Sequence, residues 1–344
     1  MRSRFVGTAN RAISRLAFRE YAASSEGLAL YRILYATAIL LMGLPKGLWI
    51  PLYGSAFFRP PFGFTWFLDQ GVPPEWFFLV LNAAATVSAI MLLTGYRTRI
   101  ASLALFVTLL SLNAWRYSFG KIDHDLLMIA VPLILAFSGW GDRLSVDSLA
   151  GHRVRFYTNS PWLLLLAVVT SVMMFTAAIQ KVPTGWLEPH TQASWGHFVS
   201  SYFVLGSKNP VSAIALGLRI PWLWKCIDFA VVVLEAAFLL TVASRRWFRI
   251  TCALACIFHF SAAILMHIAF WSNVLAYAAF WNWDGWLTRA AVRNAADQTQ
   301  LVVQNLRLWQ ITLASLLVAV IHVNMGIPAS AFFLTKVANL FFSR

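Results

Sequence analysis

One pattern constrains this chain more than any other. Long apolar runs, each close to the length of a bilayer crossing, alternate with short loops that carry most of the charge. The runs are Leu28–Leu44, Trp76–Thr94, Ile100–Trp115, Leu126–Trp140, Trp162–Gln180, Ile227–Val242, Ile250–His267, Val274–Trp286 and Leu308–Met325. A helix gains about 1.5 Å per residue, so about 20 apolar residues cross the hydrocarbon core. Inside hydrocarbon the backbone must satisfy its own hydrogen bonds, and a single apolar segment does this only as a helix. The sequence therefore predicts an all-α fold, a polytopic transmembrane helical bundle of eight or nine spans. The C-terminal AFFLTKVANLFFSR is too short to span and is expected to lie in the interface.

The loops give an orientation. With the N-terminus cytoplasmic, the inside loops carry Arg97 and Arg99; Arg143, Arg153 and Arg155; Arg245, Arg246 and Arg249; and Arg289 and Arg293. The outside loops mix Lys46 with Asp69 and Glu75, Lys121 with Asp123 and Asp125, and Lys181 with Glu188. That asymmetry follows the positive-inside rule. The basic N-terminal residues Arg2, Arg4, Arg11, Arg15 and Arg19 fit an interfacial helix on the cytoplasmic face better than a cleaved leader.

Charged residues make up only 12% of the 344, where soluble domains carry about a quarter. Sixteen Trp and 27 Phe suit interfacial aromatic belts. The net charge of +14 is scattered between apolar runs, so it points to topology and anionic lipid, not to nucleic acid. Three cysteines, all in apolar segments, form no disulfide framework and no zinc pair. The absence of an N-x-[ST] sequon favours a bacterial cytoplasmic membrane. No P-loop, dinucleotide fingerprint, HExxH or GxSxG motif is present.

Helix arithmetic brings several polar residues to the outer, extracytoplasmic boundary: Lys121, Asp123, His124 and Asp125 before the fourth run, Lys181 after the fifth, His267 at the end of the seventh and Asn273 at the start of the eighth. Two readings compete at Lys181. A lysine at a helix end ordinarily snorkels to water. A lysine held half out of water is instead a base, because burial disfavours the charged form. Pro183 and Gly185 turn the chain after it, and Trp186 follows. His124, in KIDHDLLM, reads as a solvated residue at a helix start capped by Asp123, or as an imidazole that places a proton.

A deeper pair is expected on consecutive antiparallel helices. Glu235 and His259 each fall about 15 Å from the cytoplasmic end, and a hydrogen bond between them would offset the cost of a buried carboxylate. Cys252, Cys256 and His259 share a helix face but are expected to pack and not to bind metal. His190 and His197 are read the same way, and Arg32 is expected to snorkel at the inner surface. GYRTRIASLA and RRWFRITCALA echo one another as the starts of two helices.

Five blocks carry a resemblance: ALYRILYA, GYRTRIAS, YSFGKIDHDLLMIAVPLILAFSGWGDRLSVD, AAIQKVPTGWL and FHFSAAILMHIAFWSNVLAYAAF. In this order the chain resembles the membrane domain of the vitamin K-dependent gamma-glutamyl carboxylases, the HTTM group. The resemblance implies a transmembrane domain over 27–286; the composition itself sets beside it a basic amphipathic segment over 1–26 and a C-terminal helix and tail over 287–344. The resemblance also implies a lyase-type chemistry in which an unprotonated lysine deprotonates a reduced naphthoquinone (or other quinol), oxygen is consumed and a glutamate side chain takes up carbon dioxide. Lys181 lines up with that lysine and His124 with its helper. Gln180 and Asp123 depart from the family pattern. The binding surroundings would be Asp123, Lys121, His267, Asn273, Trp186, Glu235 and His259, with lipid, quinone and an extracytoplasmic peptide or protein as partners and no metal. Two rivals stand beside it: a quinone- or lipid-binding subunit of a redox complex, similar to DoxX-like proteins, and a small-solute transporter with Glu235 as the coupling residue.

Overall fold

The computed structural model describes residues 20–42, 47–53, 55–60, 71–119, 125–150, 161–204, 206, 208–218 and 220–283. Among these residues all regular structure is helical. The long helices are α1 (Ser25–Met42), α2 (Glu75–Thr94), α3 (Thr98–Tyr117), α4 (Leu126–Leu135), α6 (Pro161–Lys181), α9 (Pro221–Thr241) and α10 (Arg245–Met266). Shorter ones are α5 (Val146–Leu149), α7 (Ala193–Phe203), α8 (Pro210–Gly217) and α11 (Trp271–Tyr277). Glu75–Thr94, Thr98–Tyr117, Pro161–Thr184 and Arg245–Met266 are each long and apolar enough to cross a bilayer, and the chain is an integral membrane protein on that ground. α9 is as long as α6, but Lys225, Asp228 and Glu235 lie along it.

Three expected segments change. The fourth run is helical only over Leu126–Leu135 before it breaks into turns. The eighth begins as α11, a helix of 7 residues, and continues as a 3-10 turn at Ala278–Phe280. The stretch between the fifth and sixth runs, expected as a loop, contains α7 and α8. The Leu308–Met325 run, the interfacial tail and the 1–19 and 287–344 segments lie outside the described residues.

The chain forms two compact units, one drawn from Met1–Leu166 with Ala278–Arg344 and one from Ala167–Tyr277. In the first, α1 packs on α2, α2 and α3 form an antiparallel hairpin, and α4 packs on α3. Gly95 makes the α2–α3 turn at φ +72, and a side chain there would strike Ser145. The Asp147 carboxylate accepts from the Arg97 and Thr98 amides at 2.8 and 2.9 Å and so caps α3 from the short helix α5.

Arg32 departs from its expected place. It is fully buried, and its guanidinium donates to the carbonyls of Trp140, Arg143 and Leu144. Those carbonyls lie in the turns that follow α4, outside any helical ladder, and need donors from elsewhere. A fixed fork of donors matches a cluster of carbonyls better than it matches water.

Pro132 explains another contact. A proline in a helix removes the donor to the carbonyl four residues earlier, which here is that of Met128. The Tyr35 hydroxyl donates to this carbonyl at 2.7 Å. Tyr35→Phe is therefore expected to cost about 1–3 kcal/mol by stranding a buried acceptor. Pro132→Ala restores an in-helix donor, so the double variant should recover most of the loss. Thermal unfolding of the four proteins in detergent checks this, and additive losses would contradict it.

Candidate functional site

The site lies within the second unit, where α9 and α10 form an antiparallel hairpin and α7, α8 and α11 pack around it. Lys181 is the last residue of α6. Side chains on a helix lean toward its N-terminus, so a lysine at the C-terminal end bends back along its own helix. Its Nζ comes within 3.4 Å of the Ala177 carbonyl, one turn earlier, and meets both Glu235 oxygens at 2.8 and 2.7 Å. The lysine side chain is 21% exposed and the glutamate 7%.

This geometry corrects two expectations. The partner of Glu235 is Lys181, not His259. The Lys181 amine does not sit alone in apolar surroundings; it sits on a carboxylate. As a unit the pair is neutral whichever atom holds the shared proton, which is how two ionisable groups coexist away from water.

The turn after Lys181 aims Trp186 back at it. The chain passes through a 3-10 turn at Val182–Thr184, and Gly185 takes φ +83. The Thr184 hydroxyl donates to the Gln180 and Lys181 carbonyls and closes the helix end. Lys181 Nζ then lies 5.3 Å from the Trp186 ring centroid, a cation–π distance. His197 packs against the same ring at 5.8 Å.

A second ion pair fixes this loop, and the sequence reading gave it no role. Lys225 Nζ meets Asp228 at 2.9 Å and donates to the Trp186 carbonyl at 3.0 Å and the Thr191 hydroxyl at 3.2 Å. Asp228, fully buried, accepts from the Ala193 and Ser194 amides at 3.0 and 2.7 Å, so it caps α7 from α9. The available signal was a lysine and an aspartate three residues apart at the start of an apolar helix.

His259 belongs to another group. Its Nε2 is 3.3 Å from the Tyr277 hydroxyl, and its ring stacks on Phe270 at 4.5 Å and on Tyr277 at 5.8 Å. The Tyr277 hydroxyl also meets Met174 Sδ at 3.2 Å. Beside His259 is a cavity of about 350 Å³, open on one side and lined almost wholly by apolar atoms of Cys256, Ile257, His259, Phe260, Ala263, Phe270, Trp271, Val274 and neighbours. Lys181 and Glu235 are not in its wall.

Of the remaining expected residues, His267 ends α10 at φ +55 and lies 3.3 Å from Asn209, which also caps α8. Asn273 is buried in α11. Lys121, Asp123 and His124 lie outside the described residues. Cys252 is buried and Cys256 half-buried, both as free thiols. Among the described residues no three His, Cys, Asp or Glu side chains converge as a metal site. No family model, curated protein or solved structure matches the chain.

Removing one member of a largely buried pair strands the other. Lys181→Met is expected to lower stability by about 3 kcal/mol, toward the low end for such pairs because the lysine touches solvent. Adding Glu235→Gln removes the stranded charge and should restore most of the loss. Thermal midpoints in detergent decide, and a double variant no better than the single would show that the carboxylate was not the cause.

Proposed function

We propose that this protein is a quinol-dependent, oxygen-using membrane enzyme of carboxylase-like type, with the Lys181–Glu235 pair as its proton acceptor. The observation that supports this most is the Lys181 amine on both Glu235 oxygens, half sheltered beneath Trp186. In the proposed topology the N-terminus is cytoplasmic, eight or nine segments span a bacterial cytoplasmic membrane, and Lys181 sits at the extracytoplasmic boundary. There a lipid-soluble reductant and an aqueous acceptor can reach the same atom.

A reduced naphthoquinone or another quinol, when bound, supplies an acidic hydroxyl and two reducing electrons. The residues fit such a group in two respects. The Trp186 ring offers a flat apolar face beside Nζ, and the amine keeps an open side. Lys181 accepts the proton at Nζ. Glu235 holds the proton that the pair already shared, so the pair passes from neutral to a single positive charge facing the site. Trp186 spreads over that charge and excludes water. His267 and Asn273 would lie near the mouth, with a peptide or protein side chain as acceptor.

The apolar cavity at His259 favours a second reading, a quinone- or lipid-binding subunit that works with a redox partner. Oxygen uptake separates the two. Purified protein in liposomes with a reduced naphthoquinone is expected to consume oxygen. Lys181→Met in the Glu235→Gln background should lose at least about 100-fold, the usual contribution of a positioned base. Retained turnover in that variant would overturn the base assignment. Absence of uptake with every quinol tried, together with a stoichiometric copurifying protein, would establish the subunit reading instead.

A further inference from the structure

The cavity between α10 and α11 has a composition that selects its occupant. Its rim carries Ile257, Phe260 and Trp271, which are 64%, 57% and 47% exposed. Ile257 and Phe260 fall on the same exposed apolar stripe of α10 as Leu254 and Ile264, and Trp271 opens α11. A large contiguous apolar surface on an integral membrane protein meets lipid. The cavity therefore opens toward hydrocarbon. Its volume of about 350 Å³ is within the range of small-ligand pockets.

The inner wall differs from the rim. His259 is buried, and its ring is clamped between Phe270 and Tyr277 with Nε2 on the Tyr277 hydroxyl. The half-buried Cys256 lies on the same helix and also lines the cavity, whereas Ser261 is exposed and its hydroxyl donates to the Ile257 carbonyl. Buried polar side chains in such a pocket fix orientation, while apolar walls supply affinity.

We infer that this cavity is a lateral binding site for a small, largely apolar molecule dissolved in the bilayer, one that carries a single hydrogen-bonding group directed at the His259 end. The site rests on the cavity and its lining and stands whether or not the Lys181–Glu235 pair does chemistry. Flat aromatic rings at Phe260, Phe270 and Trp271 suit a planar body.

Competition photolabelling tests it on the full-length protein in detergent–lipid micelles, with a diazirine-bearing hydroxyarene as the probe and mass spectrometry as the readout. The label is expected on Ile257, Phe260 and Val274. 1-Naphthol should displace it about tenfold better than naphthalene, the worth of one hydrogen bond in a dry site. His259→Phe keeps a ring in place and should erase that preference. Ala263→Trp fills the cavity and should abolish the label without moving the thermal midpoint, which decides the matter if His259→Phe does not fold. Label spread evenly over Phe229, Val233 and Leu254 and resistant to both competitors would overturn the site. Equal displacement by naphthol and naphthalene would overturn the polar end of the proposal. Loss of quinol turnover with this pattern intact would count against the function proposed above and not against this site.

Discussion

A bilayer offers no water to a charge or an unpaired carbonyl, so every polar group within a span must be matched by the chain itself. Much of the described structure follows from that one constraint. Arg32 is buried because three carbonyls after α4 need donors. Tyr35 is placed where Pro132 has taken a donor away. Asp147 and Asp228, each far along the chain from the helix it serves, neutralise exposed amides at the starts of α3 and α7. Lys181 and Glu235 obey the same rule, each matching the charge of the other.

The positions of the long helices were legible because they depend only on local composition. A run of apolar side chains of spanning length has one stable outcome in lipid. Interruptions were less legible. The Leu126–Trp140 run is as apolar as its neighbours, but its helix gives way to turns after Leu135, where Gly139 takes a left-handed φ. α7 and α8 were missed because they are short, and because Phe198, Ala215 and Trp224 hold them by packing together and not by any long run.

The pairings were the least legible part, for a geometric reason. Depth along the membrane normal treats each side chain as a point at its own Cα. Lys181 reaches back about a turn and meets a residue 54 positions away, a carboxylate expected deeper in the membrane. Arg32 failed in the same way. Depth suggested water, while tertiary packing brought carbonyls into reach. His259 was foreseen as buried, but its partners Phe270 and Tyr277 come from a short helix and the bend before it, which periodicity does not resolve.

Trp186 links the two ion pairs of the second unit and gives the candidate site its rigidity. A lysine at a helix end has some 2 kcal/mol of rotamer entropy to lose, and a loop after it would ordinarily leave that freedom intact. Here the loop is held at its backbone. Lys225 takes the Trp186 carbonyl, and Asp228 both neutralises Lys225 and fixes the start of α7. With its carbonyl tied down and Gly185 setting the direction of the turn, the Trp186 ring is confined over Nζ. The amine is thus restrained from below by Glu235 and from above by an indole. The second restraint rests on a left-handed glycine and a buried ion pair, and it limits the amine's contact with water to its one open side.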